Sequence, residues 1–159
     1  TDVMNLGVNS VIYVLDDDTI SYSEIAQDLE NEQMRAQIAA YPWPDMQYMT
    51  CKLSGRWHNL DIRYASFNSF PDLHSIYGTH YAGMKPWDVG QKSYLHYCRH
   101  EDYKLWICVF LNMMQEKHSF LRYSRLKKLR DFLMELVRTD RSYVLDVKKY
   151  PELHHLLRK

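Results

Sequence analysis

Cysteine is scarce: the chain holds only Cys51, Cys98 and Cys108, an odd number with no C-x-x-C pair. That excludes a disulfide framework or a cysteine zinc site as the organising device, and makes a cytoplasmic or other reducing compartment the expectation. No apolar run approaches the roughly 20 residues that span a bilayer, so no transmembrane segment is expected. Thr1-Asp2-Val3-Met4 lacks the charged and apolar regions of a signal peptide. Net charge is missing as well, because Lys plus Arg and Asp plus Glu both number 20. Nothing global therefore draws the chain to anionic lipid, and no nucleic-acid partner is expected. There is no internal repeat and no low-complexity tract. Position 1 is not Met and almost no lead-in precedes the first apolar run, so the chain is expected to begin inside a longer product.

What remains is an ordinary globular composition, 46% hydrophobic over 159 residues, enough for one sizeable core. Val11-Ile12-Tyr13-Val14-Leu15 is short, β-branched and aromatic and stops at Asp16-Asp17-Asp18, the pattern of a buried strand. Ser21 with Glu24 has capping-box spacing, and Ile25 and Leu29 continue an apolar stripe towards Ile38, which predicts a helix ended by Pro42 and Pro44. Residues 42–87 break into short aromatic-rich pieces punctuated by Gly55, Pro71, Gly78, Gly83 and Pro86, the texture of binding loops on a scaffold. Helical periodicity then returns. Tyr103, Trp106, Ile107, Phe110, Leu111 and Met114 share one face, and Leu126, Leu129, Leu133 and Leu136 share another, both predicted to be core. Arg122, Arg125, Lys127, Lys128 and Arg130 alternate with the second stripe and read as a solvated face. Residues 151–159 predict a short terminal helix with Pro at its start.

The chemistry concentrates in Thr79-His80-Tyr81-Ala82-Gly83-Met84-Lys85-Pro86-Trp87. A neutral imidazole can ligate a divalent ion, a glycine lets backbone N–H approach oxygens, and a lysine meets phosphate charge. As residue types alone they describe a turn with an incidental His and a surface Lys more readily than a site. The stretch resembles the His-x-x-Gly-x-x-Lys-Pro-Trp motif of glycosyltransferase family eight, with one residue here, Met84, between Gly83 and Lys85. The resemblance implies that His80 is a ligand of Mn²⁺ or another divalent cation, and that Gly83 and Lys85 contact a nucleotide diphosphate.

Two further stretches resemble the same family. Asp45-Met46-Gln47-Tyr48-Met49-Thr50, followed by Gly55-Arg56-Trp57 and Leu60-Asp61-Ile62-Arg63-Tyr64, is similar to its Asp-Gln-Asp/Glu-x-Leu-Asn segment. That implies a catalytic place for Asp45 beside donor sugar and acceptor, with Gln47 as a substrate contact. Met46 stands where the family has Gln, and a thioether does not replace an amide's hydrogen bonds. Asn9-Ser10-Val11 resembles an Asn-Ser-Gly that faces the sugar, which implies substrate contact by Asn9 and Ser10. Asp16 and Asp18 also look like the family's Asp-x-Asp metal pair, but only fifteen residues precede Asp16. They are therefore read as an acidic strand-to-helix turn, with the true pair upstream of Thr1.

The resemblance implies an α/β fold, the C-terminal part of a GT-A (Rossmann-like) nucleotide-sugar transferase with a helical tail. Residues 1–102 would form the acceptor and metal side of the transferase domain, and residues 103–159 a helical segment packed on it. The implied activity is a retaining, Mn²⁺-dependent transfer of a hexose from a nucleotide diphosphate sugar, with a UDP-sugar as the expected donor, to a hydroxyl acceptor. A missing N-terminal half or another chain would complete the enzyme. The alternative is a non-catalytic structural or interaction protein derived from that scaffold. Met46, Val11 and the shortened His80 loop favour it, and divergent members in large DNA viruses of insects look similar to this sequence.

Overall fold

The computed structural model describes Val14 and residues 19–58, 60–69 and 72–154. The chain divides into two compact units, Thr1–Leu60 and Asp61–Lys159.

The first unit is helical. Helix α1, Tyr22–Glu30, opens with the expected capping box: Ser21 accepts from the Glu24 backbone N–H, and the Glu24 carboxylate accepts from the Ser21 N–H at 2.9 Å. The helix does not run on to Ile38. Asn31 leaves the helical region with ψ 118°, ending α1 and capping α2, Glu32–Ala39, through its own side chain. Helix α3, Pro44–Lys52, starts where the prolines were expected only to stop a helix. Pro44 sits in its first turn, where a missing N–H is no loss. Among the described residues of this unit, Ile38, Tyr48 and Leu53 are the buried apolar side chains.

The second unit begins with a 3-10 turn, Ile62–Tyr64, and strand β1, Ser66–Phe67, which pairs in parallel with β2, Thr79–His80. Its helices are α4, Tyr94–Tyr97, α5, Glu101–Glu116, and α6, Ser124–Thr139. Short 3-10 turns follow, the last at Pro151–Leu153, where the terminal helix was expected to begin. The two predicted stripes are core: Tyr103, Ile107, Phe110, Met114 and Leu133 are buried, with Trp106, Leu111, Leu126, Leu129 and Leu136 packed against them. On α6, Arg125, Lys127 and Lys128 are exposed, and Arg130 pairs with Asp131 at 2.5 Å.

The expectation of an α/β, Rossmann-like fold is corrected. The described residues are mainly helical, and their one sheet has two strands of two residues each. A nucleotide-binding array needs βαβ units of about thirty residues with strands long enough to carry crossover helices. The described residues between 42 and 87 fold into one helix, 3-10 turns, loops and the two short strands. The strand expected at residues 11–15 and the Asp16/Asp18 turn lie outside the described residues, except Val14, which is 80% exposed and in no element. No helix among the described residues is long and apolar enough to cross a membrane.

Candidate functional site

His80, Gly83 and Lys85 lie on one loop of the second unit, running from β2 towards α4. His80 is fixed at its start by the sheet: it pairs with Phe67, and its carbonyl accepts from the Asn68 N–H at 3.1 Å. The rest of the loop is held by tyrosine hydroxyls. Tyr103 donates to the Met84 carbonyl at 2.5 Å and Tyr94 to the Pro86 carbonyl at 2.6 Å, while Tyr81 reaches out to the Asp102 carbonyl at 2.8 Å. Asn68 Nδ2 donates to the Tyr103 oxygen at 3.0 Å, which closes the network back onto the sheet. Burial pushes the Tyr103 phenol up to about 12 and raises those of Tyr81 and Tyr94 further, so all three stay neutral donors.

Asp102 supports this network from the start of α5. It is 1% exposed, and its carboxylate accepts from the Ser69 N–H at 2.8 Å and from the Tyr103 N–H at 3.0 Å. Burial raises its pKa, opposed by those two backbone hydrogen bonds. Ser69 is held at φ 70°, a left-handed conformation that few non-glycine residues adopt. Two buried polar atoms in this region, His80 Nδ1 and Ser69 Oγ, meet no hydrogen-bond partner among the described residues. Such an atom costs about 1–3 kcal/mol unless something satisfies it.

The three loop residues differ in what they offer. His80 offers a nitrogen without a partner. At Gly83 a Cβ would meet nothing within 4 Å among the described residues, so their packing does not demand glycine there. Lys85 is engaged: its ammonium donates to the Tyr81 carbonyl, across the turn of its own loop. Trp87 packs near Trp106 of α5, ring centroids 6.0 Å apart, and is still 53% exposed.

Asp45 and Gln47 belong to the first unit. Asp45 is exposed in the first turn of α3, a position where a carboxylate also favours the helix through its dipole. Gln47 is partly buried and points its amide at Cys51 Sγ, 3.4 Å away, and Gln37 donates to the same sulfur at 3.2 Å. Asn9 and Ser10 lie outside the described residues.

A divalent ion needs several ligands together. No group of three or more His, Cys, Asp or Glu that could hold a metal occurs among the described residues. They do not fit Mn²⁺ on their own, and His80 would need oxygens from elsewhere. Sequence reasoning found the loop but missed what holds it. Tyr81, Tyr94, Asp102 and Ser69 carried no motif, and Tyr103 was legible only as part of an apolar stripe. Compared with family models, curated proteins and solved structures, the chain matches none of them.

Proposed function

We propose that this chain carries the diphosphate-side loop of a metal-dependent, retaining hexosyltransferase and is not by itself a complete catalyst. The observation that carries this reading is the state of the loop: its backbone is clamped by buried tyrosines, yet His80 Nδ1 has no partner among the described residues. A loop so fixed is preorganised, which is what positioning a diphosphate requires. In this reading His80 supplies one ligand and Gly83 an open approach to backbone N–H. Lys85 becomes a phosphate partner by exchanging the Tyr81 carbonyl for a stronger, charge-assisted contact. The remaining metal ligands come from outside the described residues.

A second reading, a non-catalytic interaction protein, is favoured by two observations: the Lys85 ammonium is already bonded within its loop, and no three-ligand group occurs among the described residues. UDP-sugar hydrolysis by the whole gene product containing this chain, with and without Mn²⁺, separates the two. The transferase reading expects Mn²⁺-dependent turnover, lost in His80→Ala at unchanged melting temperature. Turnover absent in both proteins, or unaffected by the substitution, overturns it.

A further inference from the structure

An aromatic surface on the segment preceding the loop is used by none of the roles above. Tyr64 and Tyr77 place their ring centroids 4.9 Å apart at an interplanar angle of 36°, and they are 49% and 68% exposed. Ile62 and Phe67, on the same short segment, are 54% exposed. The backbone beneath is stitched tightly. The N–H groups of Tyr77 and Gly78 both donate to the Arg63 carbonyl, at 2.6 and 3.2 Å, and Ser66 N–H donates to the Gly78 carbonyl at 3.0 Å. Gly78 is required by this approach, since a Cβ there would lie 2.9 Å from the Tyr64 carbonyl oxygen. The rings are therefore mounted on a fixed base.

At their edge lies one ion pair. Arg63 grips the Asp61 carboxylate through Nε at 2.9 Å and Nη2 at 2.7 Å, with its guanidinium carbon 5.6 Å from the centre of the Tyr77 ring. Asp61 in turn accepts from the Arg63 N–H at 2.9 Å and is held below its ordinary pKa, mainly by the Arg63 side chain.

We propose that Tyr64 and Tyr77, edged by Asp61 and Arg63, form a docking platform for a neutral carbohydrate chain, distinct from the His80 loop. Charge and size decide among occupants. Single-stranded nucleic acid also stacks on aromatic rings, but it needs cations along its backbone, and the cation at this platform is neutralised by its own carboxylate. A stable protein partner buries about 800 Å² on each side. A few half-exposed side chains, each of about 150–250 Å² when wholly buried, offer well under that. A pyranose matches the surface: its C–H face lies on a ring as other apolar groups do, and its hydroxyls find both an acceptor in Asp61 and donors in Arg63. The platform stands whether or not the chain transfers sugar.

The test is native affinity electrophoresis of the chain through gels containing amylopectin, laminarin, mannan or xylan. Retardation by at least one is expected. Tyr77→Ala should weaken it about ten-fold, as loss of a stacking contact does, while Tyr77→Trp keeps it and His80→Ala leaves it unchanged. Melting curves confirm that the variants fold; if Tyr77→Ala does not, Asp61→Asn is read in its place, with weakened retardation expected. No retardation by any of the four, or retardation indifferent to Tyr77→Ala, overturns the proposal. So does a shift with poly(dT), or a self-association by sedimentation, that Tyr77→Ala abolishes while the polysaccharides do nothing.

Discussion

Each unit of this chain is anchored by a carboxylate, and the two are held in opposite ways. Asp28, on α1, stays partly exposed and accepts from Lys52 Nζ at 2.7 Å and the Tyr48 hydroxyl at 2.9 Å. Those two donors hold its pKa below the ordinary value. Asp102 is enclosed and accepts from backbone N–H groups, and burial pushes its pKa up despite them. A surface carboxylate with a cation beside it ties two helices together at little desolvation. A buried one held by backbone N–H groups fixes the chain from within, here the left-handed Ser69 beside the His80 strand. The second unit therefore carries the more demanding backbone geometry.

The largest expected effect breaks that anchor. Asp102→Ala leaves the Ser69 N–H without its acceptor and opens a space beneath the tyrosine network, so it should destabilise the chain by more than about 2 kcal/mol. Urea unfolding measures it. A loss under about 0.5 kcal/mol would mean that the network does not depend on the carboxylate. Asp28→Ala should cost visibly less in the same experiment, since solvent screens the contact it removes.

The pH dependence sharpens the comparison. A raised folded pKa means that Asp102 contributes stability fully present below its unfolded value, near 3.8, and lost as pH rises through the folded value. Asp28, with a lowered folded pKa, contributes stability present above 3.8 and lost as pH falls through its folded value. Asp102→Asn should therefore remove a fall in melting temperature on the alkaline side of 3.8, and Asp28→Asn should remove a fall on the acid side. Thermal melts between about pH 2.5 and 7 read both; slopes of the same sign would contradict the two environments.

The smallest effects belong to the residues offered to ligands. Asp45→Asn and Gly83→Ala should each change stability by less than about 0.5 kcal/mol, because Asp45 is exposed and a Cβ at Gly83 meets nothing within 4 Å. Differential scanning calorimetry checks this. A larger loss would make these positions structural and remove them from the ligand-facing set.

The sequence by itself determined the local elements whose signals are short. The Ser21–Glu24 capping box starts α1 as written, because both partners lie within one turn. The stripes of α5 and α6 became core because a 3.6-residue period puts those side chains on one face in any packed environment. The stretch from His80 to Trp87 was expected within a region of loops, and apart from His80 in β2 it is one. Tertiary structure decided the rest. It left two short parallel strands where an α/β array was expected, whereas the break at Asn31 and the start at Pro44 are local, an Asn side chain capping α2 and a proline in the first turn of α3. Only the fold could bring Tyr103 to Met84 across 19 residues, Asp102 to Ser69 across 33 and Asn68 to Tyr103 across 35. Those hydroxyl and backbone contacts have no period and no fixed spacing, because each depends on where two distant segments pack, and they are what hold the candidate site in place.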